Sequence, residues 1–207
     1  MRMFDTVVLV CDQYTLDIAL AIRSMLELFR LRAHLLFCVQ KQNVLDALRG
    51  QVPEADYVVL CAGALLDQPE RTLSFRVVDQ VEGQWQEVAV VLNRQTVPRL
   101  VDLPGRTVIS LGCEAGDEPL ANAFLDTGCK AYIGSSRPVD QDAVAMFTTA
   151  FFYHLLVAER DRKLTCSDAE AVQLAAALDE RCPEGTAAFR YFTRDRGASL
   201  VVAPEEQ

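Results

Sequence analysis

Histidine is nearly missing from this chain: only His34 and His154 occur in 207 residues. Neither sits at a ligand-like spacing from a cysteine, and none of the seven cysteines forms a C-x-x-C pair, so no metal site and no metal-borne cofactor is expected. Basic charge is short as well. Twenty Lys and Arg stand against 29 Asp and Glu, a net charge of −9, and the basic residues are scattered rather than clustered. A phosphate backbone has nothing to bind here, so nucleic acid is excluded as a partner. No apolar run approaches the roughly 18 residues of a membrane helix, and no leader pattern precedes the first apolar run, so no membrane association is expected. An odd number of scattered thiols in a chain too large to need disulfides fits a reducing compartment, and the expected location is cytoplasmic. Repeats and low-complexity linkers are absent too. Half the composition is hydrophobic, enough for one sizeable core, so a single domain over 1–200 with a flexible tail at 201–207 is expected.

What is present alternates between two patterns. Apolar runs at 6–12, 34–40, 55–64, 106–112 and 129–135 read as strands buried on both faces. Between them lie helical spacings at 14–32, 43–50, 117–127 and 140–162, with Gly50 and Gly128 as stops. A further helix over 167–181 opens on Ser167 with Glu170 three residues on, a capping-box pattern. The rhythm breaks at 74–93, where alternation around Glu82-Gly83 predicts a β-hairpin on the sheet edge. The segment after 186 adds one more strand. The fold class is α/β: a three-layer sandwich with a mostly parallel sheet, helices on both faces and an antiparallel hairpin insert.

In such sheets, chemistry gathers outside the carboxyl ends of the strands. Asp12, Cys61 to Ala64, Cys113 to Gly116 and Ser135-Ser136 all fall there. Cys113, in "TVISLGCEAGD", has two readings: an accessible thiol beside backbone N–H groups that could face an oxyanion, or a small buried hydrophobe at a strand–helix junction. The run from 113 to 156, "CEAGDEPLANAFLDTGCKAYIGSSRPVDQDAVAMFTTAFFYHLL", bears on that choice. Its Cys113-Glu114-Ala115-Gly116 loop, Leu120 to Leu125 helix, Gly128, Arg137-Pro138-Val139-Asp140 turn and Phe152-Tyr153-His154-Leu155-Leu156 helix closely resemble the caspase-like cysteine peptidases of clan CD, nearest to CHAT domains and gingipain-type peptidases.

The resemblance implies a caspase–haemoglobinase-like fold, with Cys113 in the nucleophile position and a His-Gly pair after the third strand. The third strand instead reads "YVVLCAGALLDQ": Ala62 stands where the resemblance puts histidine, and Gly63, an oxyanion-hole candidate, where it puts glycine. A cysteine nucleophile needs a nearby base to form thiolate and to protonate the leaving amine. Neither remaining histidine is placed to substitute. His34 precedes the second strand and His154 lies well inside the long helix. Cys61 could bond Cys113 across the sheet end or simply be a buried strand-end residue.

Two functional classes follow. One is an inactive pseudo-peptidase acting as a binding or regulatory module with a protein or peptide partner, of unassigned oligomeric state. The other is a cysteine endopeptidase disabled here by a histidine-to-alanine change. In the second case Asp12 and Asp140 could make an acidic pocket that favours Lys or Arg at the cleaved position, with Ser135 and Ser136 lining a wall. The competing reading has Asp12 terminating a strand and Asp140 capping a helix. A class I amidotransferase relative is a third option, weakened because Gly112-Cys113-x-x-Gly116 is not the Gly-x-Cys-x-Gly elbow. Trp85, in the hairpin, marks either a partner surface or an apolar anchor.

Overall fold

The fold is described from a computed structural model over residues 6–64, 72–160, 166–179, 185–195 and 198–202. The apolar runs become β1 (Thr6–Cys11), β2 (Arg32–Phe37), β3 (Tyr57–Cys61), β7 (Thr107–Ser110) and β8 (Ala131–Ser135). Two further strands, β9 (Phe189–Asp195) and β10 (Ala198–Val202), follow near the end. The sheet order is β10-β9-β8-β7-β3-β1-β2, parallel from β2 to β8 and antiparallel at β9 and β10.

Alternate residues of the central strands β1, β3, β7 and β8 feed two cores, which is why these strands read as continuous apolar runs. Val8, Val10, Val58, Leu60 and Val108 pack on one face against α2 (Lys41–Leu48), α3 (Val97–Leu100) and α4 (Glu118–Asp126). Val7, Leu9, Val59, Ile109 and Ile133 pack on the other against α1 (Leu16–Leu28), α5 (Gln141–Arg160) and α6 (Asp168–Ala176). This is the expected three-layer α/β sandwich with a mostly parallel sheet. Among the described residues, no helix is long and apolar enough to cross a membrane.

The amino ends of the central strands are fastened by one buried carboxylate. Asp168, at the start of α6, accepts hydrogen bonds from the Tyr57 hydroxyl (2.7 Å), the Thr107 hydroxyl (3.1 Å) and Lys130 Nζ (3.1 Å). Ser167 and Glu170 form the capping box expected for that helix.

Several expectations shift. The first helix was expected over 14–32, but Arg30 turns the chain with φ +64 and Arg32 already belongs to β2. His34 therefore lies within β2, exposed, rather than before it. The run 55–64 is not one strand. It divides at Ala62, and β4 (Gly63–Ala64) leaves the main sheet to pair with β5 (Leu73–Val81). With β6 (Gln84–Leu92), these form a separate three-stranded sheet, so the hairpin is not an edge of the central one. It lies over the sheet instead, burying Phe75, Val77, Val90 and Leu92 in the same core as α2. Its turn has Glu82 at φ +51 and Gly83 at φ +80, the two positive values a tight two-residue hairpin needs. The final segment supplies two strands where one was expected, and β10 runs past residue 200 to Val202. The rest of the tail, 203–207, and the end of the helix expected to reach 181 lie outside the described residues.

Candidate active site

β3 and β7 run side by side, with Leu60 opposite Ser110. Continuing that register by two residues sets Ala62 beside Gly112. A methyl group on Gly112 would stand 3.2 Å from the Ala62 carbonyl oxygen and 2.3 Å from Leu73 Cδ2, so any larger residue would require the Leu73 side chain to move. The chain then turns through Cys113, Glu114 at φ +57, and Gly116. Gly116 rides directly on β8: an added methyl would lie 2.2 Å from the Gly134 carbonyl oxygen, and one on Gly134 would lie 2.9 Å from Ala115.

Hydrogen bonds clamp the loop in place. The Glu114 amide donates to the Arg137 carbonyl (3.2 Å), the Ala115 amide to Gly112 (3.3 Å) and the Gly116 amide to Ser135 (2.6 Å). The Tyr132 hydroxyl donates to the Ala115 carbonyl at 2.8 Å. Asp117 then caps α4 by accepting from the Leu120 amide at 3.0 Å. Among the described residues, the Cys113 amide has no partner.

The Cys113 side chain is partly exposed. Its thiol donates to the Val139 carbonyl at 3.5 Å. That acceptor is a backbone carbonyl, not an imidazole or a carboxylate. Ala62 is only 4% exposed and shares a buried cluster with Leu73 and Ala115. Gly63 is exposed and pairs with Ser74. Both histidines are elsewhere. His34 lines a polar cleft with Arg32, Glu54, Asp56 and Arg106. His154 lines an apolar groove with Met25, Phe29, Met146 and Tyr153, and burial lowers its pKa.

The four specificity candidates separate. Asp12 is 1% exposed. Its Oδ1 accepts from the Tyr14 and Thr15 amides and the Thr15 hydroxyl at 2.9–3.1 Å, and its Oδ2 from the Arg76 amide at 2.7 Å. A carboxylate so fully engaged ends β1 and ties it to β5, which is the structural reading. Ser135 is buried, its hydroxyl donating to the Arg137 carbonyl at 2.5 Å. Ser136 donates to the Ala188 carbonyl at 3.0 Å. Neither Asp12 nor Ser135 lines an open wall, so the expected acidic pocket loses two members. Asp140 is exposed just before α5, and its carbonyl accepts the Val144 amide as a helix start requires.

The neighbouring thiols Cys11, Cys38 and Cys61 are buried. Burial pushes Cys11 up to about 11 and Cys38 up to about 12, with Asp12 adding to both. Burial, then Cys11 and Asp12, pushes Cys61 well above its ordinary value. Cys61 and Cys113 are both free, with no disulfide across the sheet end. Among the described residues, no three His, Cys, Asp or Glu side chains gather closely enough to hold a metal.

Sequence reading missed three parts of the site. Gly134 and Tyr132 support the loop from β8, and Thr15 donates to the Cys61 carbonyl at 2.6 Å beneath Ala62. A glycine in the middle of a strand was the available signal for a close backbone approach.

No family model matches the chain, and no curated protein matches it. Among solved structures it is similar to one described as a complex of Porphyromonas gingivalis RgpB pro- and mature domains. The identity is 10% and the TM-score 0.45, over 75% of this chain and 40% of that one. The chain thus spans less than half the length of the protein it matches.

Proposed function

We propose that this chain is a caspase-like domain of the CHAT and gingipain type that keeps the nucleophile loop but has no base. In this reading Cys113 occupies the nucleophile position and Ala62 fills the place of the histidine. The domain works in the cytoplasm as a binding or regulatory module for a protein or peptide, not as a peptidase. One observation carries the reading: the Cys113 thiol is paired with a backbone carbonyl, and both histidines line other surfaces. Absence of a positioned acid/base typically costs about 10²- to 10⁴-fold in rate, more when the groups act as a unit. The retained loop, its strained Glu114 and the unpartnered Cys113 amide support descent from a working site rather than chance resemblance.

The experiment is a hydrolysis assay with fluorogenic peptide amides ending in Arg or Lys, comparing this chain with Cys113→Ser. Equal background rates are expected. Turnover that is saturable and vanishes in Cys113→Ser would replace the module with a peptidase that uses an unrecognised base.

A further inference from the structure

The hairpin leaves a strand edge open. In the order β4-β5-β6, the far side of β6 is unpaired over most of its length among the described residues; only near its end does Thr96 Oγ1 reach the Val91 carbonyl, at 2.8 Å. Its backbone N–H and C=O groups stand at strand spacing, a template for another extended chain. Natural edges are usually blunted with lysine, proline or a bulge. β6, "QWQEVAVVL", has no lysine and no proline, and it pairs with β5 residue for residue from Gln84 to Leu92 without a bulge. Trp85 stands on this strand 62% exposed, flanked by the exposed Gln84, Gln86 and Glu87.

We infer that the β6 edge is a strand-addition site for an extended, basic polypeptide segment, with Trp85 as its side-chain anchor and Glu82 and Glu87 as its charge selectors. Charge identifies the occupant. Among the described residues, Glu87 accepts only from neutral donors, the Tyr14 hydroxyl at 2.9 Å and Gln13 Nε2 at 3.5 Å. Glu82, at the turn, has no ion-pair partner among the described residues. Asp79 is already neutralised by Lys41 at 2.9 Å, and Arg76, the one cation on the hairpin, lies over the Tyr14 ring at 5.1 Å from its centre. Among the described residues, the edge therefore carries uncompensated negative charge, on a chain of net −9. A second copy would bring the same carboxylates against themselves, whereas a segment with Lys or Arg would neutralise them. An exposed indole beside an open ladder supplies the apolar contact that backbone pairing alone does not. The inference does not rest on the chemistry of Cys113.

Trp85 is the only tryptophan, so its fluorescence reports this edge alone. The probes are the acetylated, amidated peptide KVKVTVK, its analogue N-methylated at alternate residues, and the acidic EVEVTVE, each titrated into the full chain. The amide resonances of residues 84–90 are followed in parallel. The basic peptide should saturate and move those amides, with the acidic and N-methylated peptides at least about tenfold weaker, and added salt should weaken it. Glu87→Gln should weaken the basic peptide and strengthen the acidic one, narrowing the gap between them. Trp85→Ala, read by the amide shifts, should cost about tenfold. Equal binding of all three peptides, shifts centred away from β6, or no saturation at millimolar peptide would overturn the inference.

Discussion

An Ala62→His variant is expected to capture an electrophilic peptide ending in Arg or Lys at Cys113 roughly 10²- to 10⁴-fold faster than the parent, the range a positioned general base supplies. The reason is geometric. β3 and β7 are adjacent and in parallel register, and the Ala62 carbonyl already lies against Gly112, one residue from Cys113. An imidazole here would meet a thiol whose present partner is a carbonyl. The exchange also carries a cost, because position 62 is 4% exposed against Leu73 and Ala115. A polar ring entering that cluster should lower stability by roughly 1 to 3 kcal/mol, so the unfolding midpoint is measured beside the labelling rate. A folded variant that labels no faster than the parent would show that position 62 does not overlook the thiol.

Gly116→Ala should be the most damaging single methyl in the loop. Its added carbon would sit 2.2 Å from the Gly134 carbonyl oxygen and 2.6 Å from the Gly134 carbonyl carbon, atoms of a central strand that cannot swing aside. Relief requires lifting the loop from β8, which breaks the Gly116–Ser135 and Tyr132–Ala115 hydrogen bonds. A loss of about 3 kcal/mol is expected in urea unfolding, with the Cys113 loop displaced. Gly63→Ala is the matched control. The nearest atom to a methyl there is the Ser74 carbonyl oxygen at 3.9 Å, so stability should hardly change. If the two substitutions cost the same, the loop is not held by its contact with β8.

The parts of the fold that follow from period and burial were legible in the sequence. β1, β3, β7 and β8 are apolar on both faces because each feeds two cores, and the Ser167–Glu170 box announced α6. Cys113 could be placed at a strand end for the same reason. What was not legible depends on long-range geometry. The division of the third strand at Ala62 arises because β4 is drawn out of the sheet by pairing with β5, and no local pattern records that partner. Asp12 looks in sequence like a free acid at a site. Only the fold brings it the Arg76 amide from 64 residues away, which makes it a fastener. Ser135 reads as a polar wall residue and is buried by its own turn. Short helix α3 went unread because four residues give no period. The strand β10 was missed because its apolar stretch is short and follows directly on a charged one.

The most direct measurement is the rate of Cys113 alkylation by iodoacetamide at neutral pH in the folded chain, set against the synthetic peptide TVISLGCEAGD, which carries the same thiol without the fold. A loop that presents Cys113 to a carbonyl and to no base should react no faster than the peptide. A folded-state rate about tenfold or more above the peptide would mean that the fold activates this thiol after all, and that Cys113 belongs to a working nucleophile site.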